Sequence, residues 1–490
     1  MNGQVAVSLA RRTLHVEEPF DVVEELQGEL GAQSVYLLES LSGPARDRER
    51  AIIGVGPVLS IEVADGRIRV DGQAPLAAAV VERIRRSGLV DDALVLCDLM
   101  GAWDVMRDVV SMFDVPQATD VRLDFGFLAV LAYDAVRYIE QLPRIIPPLD
   151  EPVADLAFTL YSSLLEVELR TSTGRLTTAH GALWESAPPD VIVSATERVR
   201  GRGARGEPAA QSPTPVPVAA VTEPEFLGWV DAALDHVRAG DVYQVQLGYD
   251  VELPTALDAG AIYRRMRRSN PSPFMGMVPL RGATLLSASP ELHVLLSGGA
   301  ATMRPIAGTA PRTGDPAGDA AAVEYLRTAE KEHAEHVMLV DLCRNDLGRV
   351  AAVGSTRTPT MMEVEPYSHV FHLVSTVTAT VEEGYDVFDV IRATFPAGTM
   401  TGAPKIRAME VIESLESTRR GLYAGIFGVI GVGGYANLAL TIRSIVCTEA
   451  GASTRASAGV VTDSDPHSEW RETRHKMNAA VAAATGGVFR

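Results

Sequence analysis

The sequence predicts an α+β fold, in which large β-sheets are packed with helices in an α/β sandwich. Two observations carry this. Short apolar runs with strand character recur along the whole chain, and long helical stretches are interleaved with them in its second half. Size sets the bounds: 490 residues, 47% apolar and 22% charged, are enough for a large core in an ordinary globular enzyme.

Residues 201–220 (GRGARGEPAAQSPTPVPVAA) hold four prolines, three glycines and no aromatic side chain, so they read as a linker or surface loop. They separate an N-terminal region, 1–200, from a C-terminal region, 221–490. In the first, 35–38, 94–97, 125–133 and 158–168 read as strands and 75–87 as a helix. In the second, a helix is expected over 222–239, with Thr222 and Glu225 in capping-box spacing. Strands follow at 243–252, 274–279 and 291–297. A long helix is expected over 320–347, another from Pro404, and strands at 425–432 and 436–447. The last helix starts at Asp465-Pro466, a good cap followed by a good first residue.

Several function classes are excluded. A formal net charge of −19 repels phosphate backbones, so no nucleic-acid partner is expected. No apolar run approaches the roughly 20 residues that span a bilayer, and the N-terminus lacks a signal-peptide pattern. Cys97, Cys343 and Cys447 form no CxxC pair, which argues against disulfide, zinc or iron–sulfur frameworks and points to the cytoplasm.

Chemistry-bearing residues gather in the C-terminal region. Glu332 and Glu335, and Glu469 and Glu472, are each spaced i, i+3, so each pair leaves one helix face. Brought together, four carboxylates would make a hard-oxygen cage suited to Mg²⁺. Solvated helix faces are the simpler reading, with Glu472 pairing Lys476 at i, i+4. The loop FPAGTMTGAPK (395–405) precedes a helix and offers backbone N–H groups to an anion. Arg443 interrupts the apolar run NLALTIRSIVC and needs a partner or a ligand. His369 and His372 alternate along PYSHVFHLVSTV, so only one should face a given site.

Together the segments MRPIAGT (303–309), EHAEHVMLVDLCRNDLGRV (332–350), PYSHVFHLVS (366–375), FPAGTMTGAPKIRAMEVI (395–412) and AGVVTDSDPHSEWRETRHK (458–476) resemble the chorismate-utilising enzymes, above all anthranilate synthase component I. The resemblance implies that family's fold and a site for chorismate. Glu332, Glu335, Glu469 and Glu472 would hold Mg²⁺, which binds the substrate's ring carboxylate. Glu291 would protonate the departing 4-hydroxyl, and His372 would assist pyruvate loss. Gly308, Thr309, Thr399, Tyr423 and Arg443 would line the pocket, with Arg443 gripping the enolpyruvyl carboxylate and Lys476 beside the carboxylates. Ser457 and Gly459 lie in Ala456-Ser457-Ala458-Gly459, where the family usually has Ala-Gly-Ala-Gly; Ser457 replaces a glycine facing the substrate.

The activity so implied is conversion of chorismate and ammonia to anthranilate and pyruvate. Gln244 stands where water-adding relatives place a lysine base, and Ala307 where aminodeoxychorismate synthases commonly place a lysine nucleophile. The alternative is a 2-amino-2-deoxyisochorismate synthase, which aminates without losing pyruvate; an aminodeoxychorismate synthase fits less well. No cysteine is set as a glutaminase nucleophile, so the resemblance implies a separate glutamine amidotransferase subunit in a hetero-oligomer. Glu39, Ser40, Pro271, Ser272 and Met275 match the family's tryptophan site, although Arg50-Ala51-Ile52-Ile53 departs from the usual sequence there.

Overall fold

The computed structural model describes residues 4–43, 50–147, 153–202 and 216–489. Most of the 201–220 stretch therefore lies outside the described residues. Mixed α+β architecture is observed: among the described residues, 22 strands are linked by pairing and clothed in helices.

The hub is the strand Leu156–Glu168. Along one edge it pairs throughout with Arg50–Ala64. Its other edge is shared between Gly126–Leu131 and Thr173–Gly181, so the pairing forks there. From Arg50–Ala64 the ladder runs through Val35–Glu39, Phe274–Leu280, Ala283–Ser289, Ser444–Thr448 and Gly451–Val460 to Gln244–Leu253. From Gly126–Leu131 it runs through Ile426–Gly431, Ala436–Leu440, Leu292–Ser297 and Ala300–Met303 to Val370–Thr380. Strands from both sides of the 201–220 stretch thus pair directly, and both large hydrophobic clusters draw on both regions.

The helix Glu223–Ala239 carries the expected Thr222/Glu225 capping box and ends at Gly240, whose φ of 78° suits a glycine. In Pro466–Thr485 the Asp465 side chain caps the Ser468 N–H.

Three expectations need correction. Residues 94–97 form a turn with isolated bridges, and Leu94 adopts a positive φ of 59°. The single helix over 320–347 is two, Pro316–Thr328 and Glu330–Gly348. No glycine or proline marks the break; the His333 imidazole reaches back to the freed Leu326 carbonyl at 2.8 Å and satisfies it. The strand over 436–447 is also two, Ala436–Leu440 and Ser444–Thr448. Its partner is interrupted at the same level, between Ala283–Ser289 and Leu292–Ser297. The ribbon therefore turns a corner, with Glu291 at the break in one strand and Arg443, at φ 51°, at the break in the other. Arg443 lies in this break and not within a strand.

Candidate active site

The corner is the floor of the site. Glu291 is buried, and its Oε1 accepts from the Thr399 hydroxyl at 3.0 Å. Burial pushes its carboxyl up to about 8, against the opposing pull of Thr399 and of the Ile306 N–H. It is therefore mostly protonated at neutral pH, as a general acid must be.

Thr399 lies on the one-turn helix Gly398–Thr401. Glycines allow this turn to sit close. A Cβ at Gly398 would fall 1.8 Å from Leu342, and one at Gly402 2.0 Å from the Gln244 carbonyl. The loop is less open to anions than its glycines suggest, because Gly402-Ala403 pairs with Gln244-Val245 as a short strand. Lys405 is tied to Asp346 at 2.7 Å and to the Thr394 carbonyl at 3.1 Å.

Arg443 donates to the Lys476 carbonyl at 3.2 Å and forms no ion pair among the described residues. Burial lowers its pKa, against the pull of Tyr423 and Glu472. A desolvated guanidinium without a counter-charge is a natural seat for a substrate carboxylate. His372 stands in the strand Val370–Thr380, opposite Thr309 in register. Its Nδ1 lies 3.0 Å from the Thr309 hydroxyl and 3.3 Å from the Gly308 carbonyl. A carbonyl only accepts, so Nδ1 carries the proton and Nε2 keeps its lone pair. Burial, with Arg443 adding, drops the ring to about 4, so it is neutral at physiological pH, with Nε2 free to accept a proton. His369, just before this strand, instead contacts the Ser269 carbonyl.

Gly308 is the bulge of Ile306–Pro311, at φ 75°; a Cβ there would meet Leu373 at 2.9 Å and Glu332 at 3.2 Å. Across the site the strands Gln244–Leu253 and Gly451–Val460 pair, with Gln246 opposite Gly459. A Cβ on Gly459 would collide with the amides of Gln244 (2.6 Å) and Gln246 (2.8 Å). Buried Ser457 bridges Tyr423, at 2.7 Å, and Gln246 Oε1, at 2.9 Å. Gln246 is a site residue that sequence reasoning missed, although its two-residue spacing from Gln244 gives both side chains one face.

A second missed feature lies underneath. Glu416 is fully enclosed and pairs with Arg420 (2.8 Å) and Arg455 (2.7 Å). Burial raises its pKa, but the two guanidiniums win and hold it below the usual value. Arg420 also donates to the carbonyls of Met400 and Gln246, joining two walls of the pocket.

Glu332, Glu335 and Glu472 flank the buried stripes of Glu330–Gly348 and Pro466–Thr485, and Glu469 is itself buried. Burial raises Glu335, with Glu332 and Glu472 adding to the rise against Lys331; burial raises Glu469 likewise, with Glu472 adding. The two helices thus place their carboxylates within reach of each other's charge. Among the described residues, however, no three His, Cys, Asp or Glu side chains are gathered closely enough to hold a metal. Lys476 pairs with Glu472 at 2.7 Å, the simpler arrangement weighed from the sequence, and Lys331 approaches Glu335 at 4.0 Å. In chemistry the set fits a hard cation: all donors are oxygen, and the mutual repulsion is what a dication relieves.

Of the residues matched to a tryptophan site, Glu39, Ser40 and Met275 line a cavity of about 650 Å³ together with Arg50, Phe274 and Tyr435; Pro271 and Ser272 do not line it. Glu39 is engaged there: it accepts from Arg267 at 2.7 and 3.1 Å and from the Tyr263 hydroxyl at 2.9 Å. Ser40 donates to the Pro273 carbonyl at 2.6 Å and Ser272 to the Asn270 carbonyl at 3.2 Å, while Met275 pairs with Glu39. Pro271 lies between Asn270 and Ser272 in the same turn.

Residues 50–482 match the chorismate binding enzyme family. The chain belongs to this family. Among chorismate binding enzymes it is 43% identical to a 2-amino-4-deoxychorismate synthase from Streptomyces globisporus, over 98% of this chain and 97% of that one. It is 40% identical to anthranilate synthase component 1 of Thermus thermophilus, over 91% of each. The crystal structure of anthranilate synthase component I from Streptococcus pneumoniae superposes with a TM-score of 0.70 at 28% identity, over 89% of this chain and 92% of that one. No helix among the described residues is long and apolar enough to cross a membrane.

Proposed function

We propose that the protein aminates chorismate at C2 with ammonia and releases the product with its enolpyruvyl ether intact, as a 2-amino-4-deoxychorismate synthase. This is the compound otherwise called 2-amino-2-deoxyisochorismate. The reading supplants the expectation of anthranilate. The observation that carries it is the buried Ser457 bridge to Tyr423 and Gln246, at a pocket position where the family usually has glycine. The full-length likeness to the Streptomyces globisporus enzyme supports it. Magnesium, seated by Glu332, Glu335, Glu469 and Glu472, would neutralise the ring carboxylate. Arg443 would hold the second carboxylate, and Glu291 would protonate the 4-hydroxyl as it departs.

Ammonia comes from a glutamine amidotransferase partner, and free ammonium should replace it. Incubation with chorismate, Mg²⁺ and ammonium tests the reading by mass analysis and anthranilate fluorescence. An aminated product that keeps its enolpyruvyl group is expected; pyruvate released one-for-one with amine addition would overturn it. The second reading, anthranilate synthase, is favoured by the unprotonated Nε2 of His372, whose lone pair is free to take the C2 proton.

Glu39 is already neutralised by Arg267, so the cavity beside it offers little to the ammonium group of tryptophan. The reaction rate is expected to stay constant across a tryptophan titration to millimolar levels. A saturable fall in rate would show the cavity to be a tryptophan site.

A further inference from the structure

This inference rests on the reading above and concerns what stops the reaction after amination. Ser457 is 2% exposed. Its Oγ lies 2.9 Å from Gln246 Oε1 and 2.7 Å from the Tyr423 hydroxyl oxygen. An amide oxygen only accepts, so Ser457 donates to Gln246. With its one proton so placed, Ser457 can only accept from Tyr423. The chain therefore runs one way, from Tyr423 through Ser457 to Gln246. What Tyr423 presents to the pocket is an oxygen that accepts and cannot donate.

Loss of pyruvate requires the opposite. A base takes the C2 proton, and the C2–H pair becomes the C2=C3 bond of the aromatic ring. The C3–O bond breaks with its pair on the enolpyruvate oxygen, which then needs a proton. A donor beside the enolpyruvyl group stabilises that departing charge. We propose that Ser457 is a specificity-determining positioning residue: by accepting the Tyr423 proton it withholds this donor and holds the reaction at the aminated product.

The rest of the site accommodates Ser457 without depending on its hydroxyl. Gly248 is its register partner, and a Cβ on Gly248 would lie 2.9 Å from that of Ser457. The contact from Lys476 at 2.9 Å goes to the Ser457 main-chain carbonyl, so it survives substitution.

The test compares wild type, Ser457→Ala, Ser457→Gly and the double variant Ser457→Ala/Tyr423→Phe, each with chorismate, Mg²⁺ and ammonium. Anthranilate, pyruvate and the aminated enolpyruvyl product are quantified. Freeing one hydrogen bond to a developing charge should raise the ratio of anthranilate to aminated product about tenfold in both single variants. In the double variant the ratio should return towards wild type, because the donor is gone. A purely structural role for Ser457 would lower all products together and leave the ratio alone. If wild type keeps the enolpyruvyl group and both single variants keep it equally, this inference alone fails. If wild type itself releases one pyruvate per amine added, the inference and the functional reading fail together.

Discussion

Glu291→Gln is expected to lower turnover about 10²–10⁴-fold, the usual worth of a general acid. Glutamine keeps the size of the side chain and can still meet the Thr399 hydroxyl, but it has no proton to transfer. The pH dependence follows from burial. With its carboxyl pushed up to about 8, wild-type Glu291 holds its proton below that pH and loses it above. At constant free ammonia, kcat/KM should therefore fall as pH rises through about 8, and the variant should lack this limb. Thr399→Val should move the limb to higher pH, since the Thr399 hydrogen bond opposes the effect of burial. A Glu291→Gln enzyme with wild-type turnover would remove this carboxyl from the mechanism.

Much of the fold was legible because its signals are local. Thr222 with Glu225, and Asp465 with Pro466, set helix starts through contacts within four residues, and the structure places those starts as expected. What could not be read was non-local. The break at 441–443 exists because two paired strands turn a corner together; Thr441-Ile442-Arg443 include no proline or glycine, and the one local signal, Pro290, stands in the partner strand, whose pairing only the folded chain reveals. The break at Ala329 is stabilised by a histidine four residues on, whose partner carbonyl only the folded chain reveals. The site was legible as a set of residue types, but its wiring was not. Nothing in Glu416, Arg420 and Arg455 taken singly distinguishes a surface charge from a buried pair of bridges. Ser457 was visible as a departure from the usual glycine, but the direction of its hydrogen bonds needed the positions of Tyr423 and Gln246.

Glu335→Ala and Glu472→Gln are each expected to abolish turnover while leaving the fold intact. The reason lies in what holds these side chains. Glu335 sits partly buried beside other carboxylates, so its removal relieves repulsion and costs the metal-free protein little. Glu472 loses an ion pair with Lys476, but with its side chain 50% exposed such a pair contributes only about 0–1 kcal/mol. A ligand that binds only the folded state stabilises it by about 2.7 kcal/mol at a hundredfold excess over its Kd. Thermal unfolding with and without Mg²⁺ therefore separates the two roles these residues could have. Wild type should gain a magnesium-dependent rise in Tm, and both variants should lose most of that rise while keeping nearly the wild-type Tm without metal. If the rise survives in both, the carboxylates are a solvated pair of helix faces and the cation binds elsewhere. If both variants unfold early without metal, the glutamates serve the fold. Only the loss of the magnesium response on an intact fold is what a pair of helices set to share one cation predicts.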